Sequence, residues 1–252
     1  MKLLDLTLPS PAENLACDEA LLDQCEDDAT HPGVLRFWES PRHFVVVGYA
    51  NKVATEVNLE ACRPRGIPVL RRCTGGGTVV QGPGCLNFAL ILSAPSENVT
   101  DTNRVIMERN RAAIASLWER PSGRDRRGHR ARKGAPTITF DGHTDLALDG
   151  RKFSGNSQRR RKRCILFHGT FLLDFDLTLV EELLRFPSKQ PSYRQGRTHR
   201  DFLTNLSLPA ETVKNALRKE WGATEPFPSV PTEPVAQLVA EKYGTRAWNE
   251  KF

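Results

Sequence analysis

The sequence predicts an α+β fold, in which a mixed, largely antiparallel sheet is flanked by helices. Short runs of strand-forming residues, such as 67–70 and 86–92, are bounded by turn residues. Other segments, such as 14–25 and 104–118, carry apolar residues at the spacing of a helix. The Asp-Gly pair at 149–150 is a strong signal for a two-residue hairpin, and hairpins join antiparallel strands.

The individual elements follow from the same patterns. In the first half they are a helix at 14–25, paired strands at 34–39 and 44–48 around a Ser40-Pro41 turn, a short helix at 56–62, strands at 67–70 and 86–92, and an amphipathic helix at 104–118. In the second half they are a strand at 145–148, a return strand from 151, a strand at 164–174, and helical segments at 177–185, 201–206, 210–221 and 235–243. Residues 226–234 form a proline-rich spacer.

The length and composition of the chain indicate a soluble globular protein. It has 252 residues, of which 39% are hydrophobic, enough for a substantial core. No apolar run approaches the roughly 20 residues that a membrane-spanning helix needs. Asp5 interrupts the N-terminal apolar run where a signal peptide would continue, so we expect a cytoplasmic protein that does not bind membranes.

The net charge of +6 is concentrated in two basic runs, at 124–133 and 159–163. Neither run has interleaved aromatic residues for base stacking, so we predict no nucleic-acid partner. Residues 122–136 are rich in Arg and Gly and nearly free of apolar residues, which predicts a disordered loop. The six cysteines contain no C-x-x-C pair, and the six histidines show no ligand spacing, so we expect free thiols and no structural metal.

The most informative motif is Arg71-Arg72-Cys73-Thr74-Gly75-Gly76-Gly77-Thr78. Glycines between strands let the backbone approach a ligand closely, and neighbouring arginines can donate to carboxylate or phosphate oxygens. The motif lacks the Gly-Lys-Ser/Thr ending of a P-loop and does not match a dinucleotide fingerprint. It predicts an anion-handling site for a small molecule, and the alternative is a flexible turn with solvated arginines.

A second feature is Lys152, which follows the predicted hairpin turn and precedes Ser154-Gly155-Asn156. A lysine at a hairpin corner can point into a cleft and meet a carboxylate or phosphate. Taken alone, the residue is better explained as an ordinary surface lysine.

Together these motifs resemble the lipoate–protein ligase A family, within the superfamily shared with octanoyltransferases and biotin protein ligases. The matching pieces run in family order: Asn14-Leu15-Ala16 with Glu19, Arg71-Arg72-x-Thr-Gly-Gly-Gly, Gly84-x-x-Asn87-Phe88, Asp145-Leu146, Arg151-Lys152-Phe153-Ser154-Gly155-Asn156, His168-Gly169-Thr170 and residues 193–206. The resemblance implies the biotin/lipoate ligase catalytic-domain fold over residues 1–206. It leaves residues 207–252 as a helical tail, too short for the accessory domain of larger family members.

The resemblance also implies a reaction and roles for residues. ATP and Mg²⁺ would activate lipoate to lipoyl-AMP, and the lipoyl group would pass to a lysine of a lipoyl carrier domain. Lys152 would be the catalytic residue. The residues expected to bind lipoate or the adenylate are Arg71, Arg72, Gly75, Gly76, Gly77, Thr78, Asn87, Ser154 and His168. Mg²⁺ would arrive with ATP near Asn87 without a protein site of its own, and an apolar wall of Trp38, Val46, Val79 and Phe153 would hold the acyl tail.

Partners follow from the same resemblance. The carrier would be an acyltransferase subunit of a 2-oxoacid dehydrogenase, a glycine cleavage H protein or a similar domain. A separate accessory protein would complete the site if local loops do not. The basic 122–136 segment would contact an acidic carrier domain or would have no role.

The sequence departs from the family pattern after the glycine loop, where Gly82-Pro83-Gly84 looks more like the octanoyltransferase branch. That branch transfers the acyl group through a cysteine thioester. Thr139 stands near the expected nucleophile position, and Cys73, Cys85 and Cys164 are the remaining candidates. The sequence therefore favours the ligase, with the cysteine transferase and a non-catalytic binding protein as alternatives. The unbroken glycine triplet argues against a biotin ligase.

Overall fold

A computed structural model describes residues 1–94, 98–118, 136–187, 189–228 and 230–252. Its strands, in chain order, are β1 (Lys2–Asp5), β2 (Val34–Trp38), β3 (Phe44–Val47), β4 (Val69–Arg71), β5 (Val79–Gln81), β6 (Cys85–Ser93), β7 (Ile138–Asp141), β8 (Asp145–Leu148), β9 (Arg151–Arg160), β10 (Cys164–Leu172) and β11 (Glu225–Pro226). The helices are α1 (Pro11–Asp27), α2 (Val53–Glu56), α3 (Leu59–Cys62), α4 (Val99–Ala115), α5 (Thr178–Leu183), α6 (His199–Phe202), α7 (Ala210–Trp221), α8 (Thr232–Leu238) and α9 (Arg246–Asn249).

The strands form two sheets. The larger sheet has the order β11-β1-β2-β6-β10-β9-β8-β7, and the smaller has the order β4-β3-β5. In the larger sheet β1 runs parallel to β2 and β11, and the remaining pairs are antiparallel. The predicted mixed, largely antiparallel sheet flanked by helices is therefore confirmed.

Successive side chains along the strands of the larger sheet pack into two hydrophobic cores, one on each face of the sheet. In β6, Leu86, Phe88 and Leu90 pack on the side covered by α4 and α7, whereas Ala89 and Ile91 pack on the side covered by α1. This period of two is what a strand buried on both faces requires. The smaller sheet has a core of its own with α2, α3 and α5.

Helix α1 begins where the sequence dictates. Ser10 caps it through a reciprocal capping box with Glu13, and Pro11 occupies the first turn, where its missing N–H costs nothing. The helix packs on β6 and β10 of the larger sheet.

The structure differs from the predicted elements in several places, and the helix expected at 56–62 is divided into α2 and α3. Strands β2 and β3 do not pair, because β2 joins β1 and β6 in the larger sheet while β3 joins the smaller sheet. The strand β5 between the glycines and β6 was not expected, since it has only three residues. The helix expected at 201–206 ends at Phe202.

The prediction that all cysteines are free thiols is wrong. A disulfide joins Cys25, near the end of α1, to Cys164, at the start of β10. The two residues are 139 positions apart, and only the packing of α1 on β10 brings their Cα atoms within 6.1 Å. Linear spacing carries no signal of that proximity, and the other four cysteines are free and buried.

The expected disordered loop at 122–136 lies outside the described residues except for Pro136. None of the helices within the described ranges is long and apolar enough to cross a lipid bilayer.

Candidate functional site

A cleft of about 480 Å³ lies between the two sheets. Its walls come from α1, from the glycine loop before β5, from β9 and β10, and from the segment after α5. Every residue predicted to bind lipoate or the adenylate lines this cleft except Arg71 and Gly75.

Lys152 reaches the cleft because the hairpin around it is irregular. Asp149 and Gly150 both have positive φ, at 49° and 77°, as the predicted two-residue turn requires. A bulge then shifts the register between Leu146 and Ala147, so that Phe153 is the extra residue of β9. Lys152 consequently shares a face with Gly155, and its Nζ lies only 2.7 Å from the place where a Cβ of residue 155 would be.

Asp145 and Tyr193 orient this lysine. Lys152 Nζ lies 2.8 Å from Asp145 Oδ1, and the Tyr193 hydroxyl donates to Asp145 Oδ2 at 2.8 Å. Burial, together with the charge of Asp145, raises the pKa of Tyr193, so the phenol stays protonated and acts as a donor. Asp145 thereby has both oxygens engaged.

Arg72 shapes the glycine loop from within. Its guanidinium donates to the carbonyl oxygens of Gly75 at 2.6 Å and Gly77 at 2.7 Å. Burial lowers the pKa of Arg72 to about 10, and no carboxylate among the described residues pairs with it. Because its charge has no anionic partner there, Arg72 makes the cleft favourable for a bound anion.

The loop also offers its backbone. The amide N–H groups of Gly76, Gly77 and Thr78 donate to no described residue. Gly76 has a φ of 85°, and its carbonyl packs so tightly on Gly48 that a Cβ at Gly48 would lie 2.1 Å from it. Such unpaired amides beside a buried guanidinium are suited to carboxylate or phosphate oxygens.

Arg71 points away from the cleft, because adjacent residues of a strand face opposite sides. It is fully buried and donates to carbonyl oxygens of Gly48, Tyr49, Asn51, Trp248 and Asn249. Asn249 Oδ1 accepts from the Arg71 backbone N–H at 2.9 Å. Arg71 thus ties the glycine loop to the C-terminal residues and does not face the ligand space.

Asn87 has one side-chain atom bonded and the other unpaired. Gln81 Nε2 donates to Thr170 Oγ1, and Thr170 Oγ1 donates to Asn87 Oδ1, each at 2.7 Å. Asn87 Nδ2 is buried and has no hydrogen-bond partner. The free atom is an N–H group, which fits an anionic oxygen and cannot ligate a cation.

A buried network that the sequence did not predict lies beside the glycine loop. His168 Nδ1 lies 2.9 Å from Asp18 Oδ2, and His168 Nε2 lies 2.8 Å from Thr74 Oγ1. Thr74 Oγ1 in turn lies 2.7 Å from Ser157 Oγ. Only His168 was expected at the site.

The far end of this network is an ion pair between Asp18 and Arg36, with an N–O distance of 2.5 Å. Burial alone would raise the pKa of Asp18, but the Arg36 charge and the His168 hydrogen bond outweigh it, so the pKa is lowered. Asn14, one helical turn before Asp18, also contacts Arg36. Asn14 and Asp18 are four residues apart and therefore on one face of α1, next to the apolar residues Leu15, Leu21 and Leu22, and this spacing was the available signal.

The four predicted acyl-tail residues, Trp38, Val46, Val79 and Phe153, also line the cleft. The cleft therefore has both polar and apolar lining residues, as a fatty acid with a reactive carboxyl group would need.

None of the six cysteines lines the cleft. Burial raises the pKa of Cys73 and of Cys17 to about 11, and that of Cys85 to about 12, so these thiols are poor nucleophiles. Thr139 lies on β7, where its hydroxyl donates to Asp141, and it does not reach the cleft.

The described residues contain no group of three or more His, Cys, Asp or Glu side chains that could hold a metal ion. Any cation in the cleft would need most of its ligands from the substrate.

Comparison with known proteins decides the family. The model of the lipoyl protein ligase A/B catalytic domain matches residues 10–221. This chain belongs to that family. It is an enzyme of the lipoate ligase and octanoyltransferase group.

Some of the relatives are named octanoyltransferases and others are named lipoate-protein ligases. Octanoyltransferase LipM from Geobacillus kaustophilus is 31% identical over 270 residues, covering 96% of this chain and 94% of that protein. Lipoate-protein ligase A subunit 1 from Thermoplasma acidophilum is 29% identical over 230 residues, covering 86% and 84%. The crystal structure of a lipoate-protein ligase A bound with ATP is similar at a TM-score of 0.76 and 26% identity, covering 99% of this chain and 98% of that one.

Proposed function

We propose that this family member is an ATP-dependent lipoate–protein ligase that forms lipoyl-AMP and transfers the lipoyl group to a carrier lysine. The observation that carries the proposal is the absence of every cysteine of the chain from the cleft. Transfer through a thioester needs an accessible cysteine thiolate. Transfer through an adenylate needs only positively charged side chains and hydrogen-bond donors placed around the reacting anionic groups.

In this proposal each polar residue has a role that its geometry supports. Lys152 neutralises the lipoate carboxylate and then the acyl phosphate, held in place by Asp145. Arg72 and the glycine-loop amides bind the remaining anionic oxygens, and Asn87 lies in the wall beside them. The reaction is then promoted by positioning and by charge stabilisation.

ATP would be a substrate of this reaction, and Mg²⁺ would enter on its phosphates, because the described residues supply no carboxylate cluster of their own. The acceptor would be the lysine of a lipoyl carrier domain. A separate accessory protein would complete the site if the local loops do not.

A cysteine-dependent octanoyltransferase is the second candidate, because relatives named LipM match nearly the full length of the chain. In that case one of the buried thiols, such as Cys73, would have to become exposed and lose its proton. Burial disfavours the thiolate, as the raised pKa of Cys73 shows.

The test is lipoate-dependent exchange of labelled pyrophosphate into ATP, measured alongside the intact mass of the chain after incubation with an octanoyl donor. We expect exchange and no covalent adduct. Lys152→Ala should lower exchange at least about 10²-fold, since electrostatic groups of this kind contribute that much, whereas the exposed Lys219→Ala should not change it. A thioester adduct without exchange would overturn the ligase assignment.

A further inference from the structure

The network of Asp18, His168, Thr74 and Ser157 can act as a proton acceptor when the His168 ring is neutral. The lowered pKa of Asp18 makes it an acceptor, so a neutral His168 carries its proton on Nδ1. His168 Nε2 is then an acceptor and takes the Thr74 hydroxyl proton. The Thr74 oxygen in turn accepts from Ser157, which leaves the lone pairs of Ser157 Oγ free on the cleft side.

The open end of the network lies next to the proposed reaction centre. Ser157 and Gly155 are two residues apart on β9 and therefore share a face, at a separation of roughly 7 Å. Lys152 Nζ lies directly over Gly155. Gly76 closes the other side, because a Cβ there would lie 3.6 Å from Ser157 Cβ.

The second half reaction needs such a group. A lysine amine has a pKa of about 10.4, so the carrier arrives as an ammonium ion that cannot attack. Asp145 is engaged by Lys152 and Tyr193, which leaves it poorly placed to take a proton. His168 has Nδ1 held 2.9 Å from the Asp18 carboxylate and Nε2 directed at Thr74, so its ring is placed to take a proton that arrives through Thr74.

We propose that Ser157, Thr74 and His168, backed by Asp18, form a relay that deprotonates the carrier lysine; this rests on the proposed ligase function. The ammonium gives one proton to Ser157 Oγ, Ser157 passes its own proton to Thr74, and Thr74 passes its own to His168 Nε2. The neutral amine attacks the acyl carbon, a C–N bond forms, and the C–O bond to AMP breaks. AMP leaves with the electron pair and takes the second amine proton on its phosphate.

In this scheme Ser157 touches the substrate and is a catalytic residue, whereas Thr74 and Asp18 act through their neighbours and are positioning residues. The relay would serve transfer and leave adenylation unaffected, because lipoate reacts with ATP as a carboxylate that has no proton to lose.

The decisive experiment separates the half reactions and the nucleophiles. Ser157→Ala and Thr74→Val are each given preformed lipoyl-AMP, with either a lipoyl carrier domain or hydroxylamine, an amine that is already unprotonated at neutral pH. We expect transfer to the carrier to fall about 10²-fold. Transfer to hydroxylamine, pyrophosphate exchange, and the affinity for a non-hydrolysable acyl-adenylate analogue should stay unchanged.

Two further variants distinguish the relay from a packing effect. Thr74→Ser keeps the hydroxyl and should restore transfer to the carrier. Thr102→Val removes another buried threonine hydroxyl, on α4 and away from the cleft, and should change nothing.

Equal slowing with both nucleophiles, or normal transfer to the carrier in Ser157→Ala, would overturn the relay while leaving the ligase assignment intact. Failure of the unmodified chain to transfer from supplied lipoyl-AMP would overturn both. Missing pyrophosphate exchange alone would count against adenylation only.

Discussion

At the scale of single residues, neighbours in the sequence have opposite roles. Arg71 and Arg72 look equivalent in the motif, yet strand alternation sends Arg71 to the C-terminal residues and Arg72 to the cleft. Motif matching identified both residues but could not assign their directions. The same limit applies to Asp18 and Ser157, whose relation to His168 depends on contacts across three elements.

Gly155 is the residue that gives Lys152 its place. A methyl group there would lie 2.7 Å from Lys152 Nζ and 2.8 Å from its Cε, so Gly155→Ala must displace the ammonium from Asp145. Because the displaced atoms end a flexible side chain, we expect an almost unchanged thermal transition. Pyrophosphate exchange should fall about 10²-fold, the usual effect of misplacing a catalytic group by an ångström. Normal exchange would mean that the pairing of Lys152 with Asp145 is not needed.

At the scale of elements, the sequence predicted correctly those features that depend on a few adjacent residues. The capped start of α1 and the Asp149-Gly150 hairpin depend on a few adjacent residues, and both are present. The pairing of β2 and β3 was wrong, because strand partners are chosen by long-range packing. The β9 bulge that directs Lys152 into the cleft also leaves no trace in the residue pattern.

The C-terminal helix α9 stabilises the glycine loop from behind. Asn249 is buried and accepts from the Arg71 backbone N–H, while it donates to the Tyr243 carbonyl. Asn249→Ala leaves both groups unpaired, so we expect a loss of about 2 kcal/mol in the free energy of unfolding. Urea denaturation measures it, with the exposed Asn215→Ala as the matched control. A loss equal to the control would show that α9 does not support the loop.

At the scale of the whole molecule, a disulfide fixes α1 to the larger sheet. It closes a segment of 139 residues, which restricts the unfolded chain. Replacing both Cys25 and Cys164 by alanine should lower the free energy of unfolding by about 2–4 kcal/mol, measured in urea with and without reductant. The variant should not respond to reductant and should keep its activity, since neither cysteine lines the cleft. If reductant changed the free energy of unfolding of the unmodified chain and of the double variant equally, the disulfide would be contradicted.

The overall stability should also depend on pH through His31. Burial lowers the pKa of His31 in the folded state, and Nδ1 accepts from the Gly33 N–H, which needs a neutral ring. The unfolded chain binds a proton near pH 6.5 while the folded chain resists it, so stability falls as the pH drops below that value. Unfolding measured from pH 7 to pH 5 should show this fall, and His31→Gln should reduce it. An identical pH dependence in both proteins would exclude His31 as the cause.

The central claim is that the cleft joins a fatty acid to AMP without a covalent enzyme intermediate. Mass spectrometry of the chain after incubation with lipoate, ATP and Mg²⁺, without a carrier, tests it most directly. We predict lipoyl-AMP bound under native conditions, released on denaturation, with the chain itself unmodified. A lipoyl or octanoyl group that stays attached to a cysteine after denaturation, with no acyl-AMP detected, would contradict it.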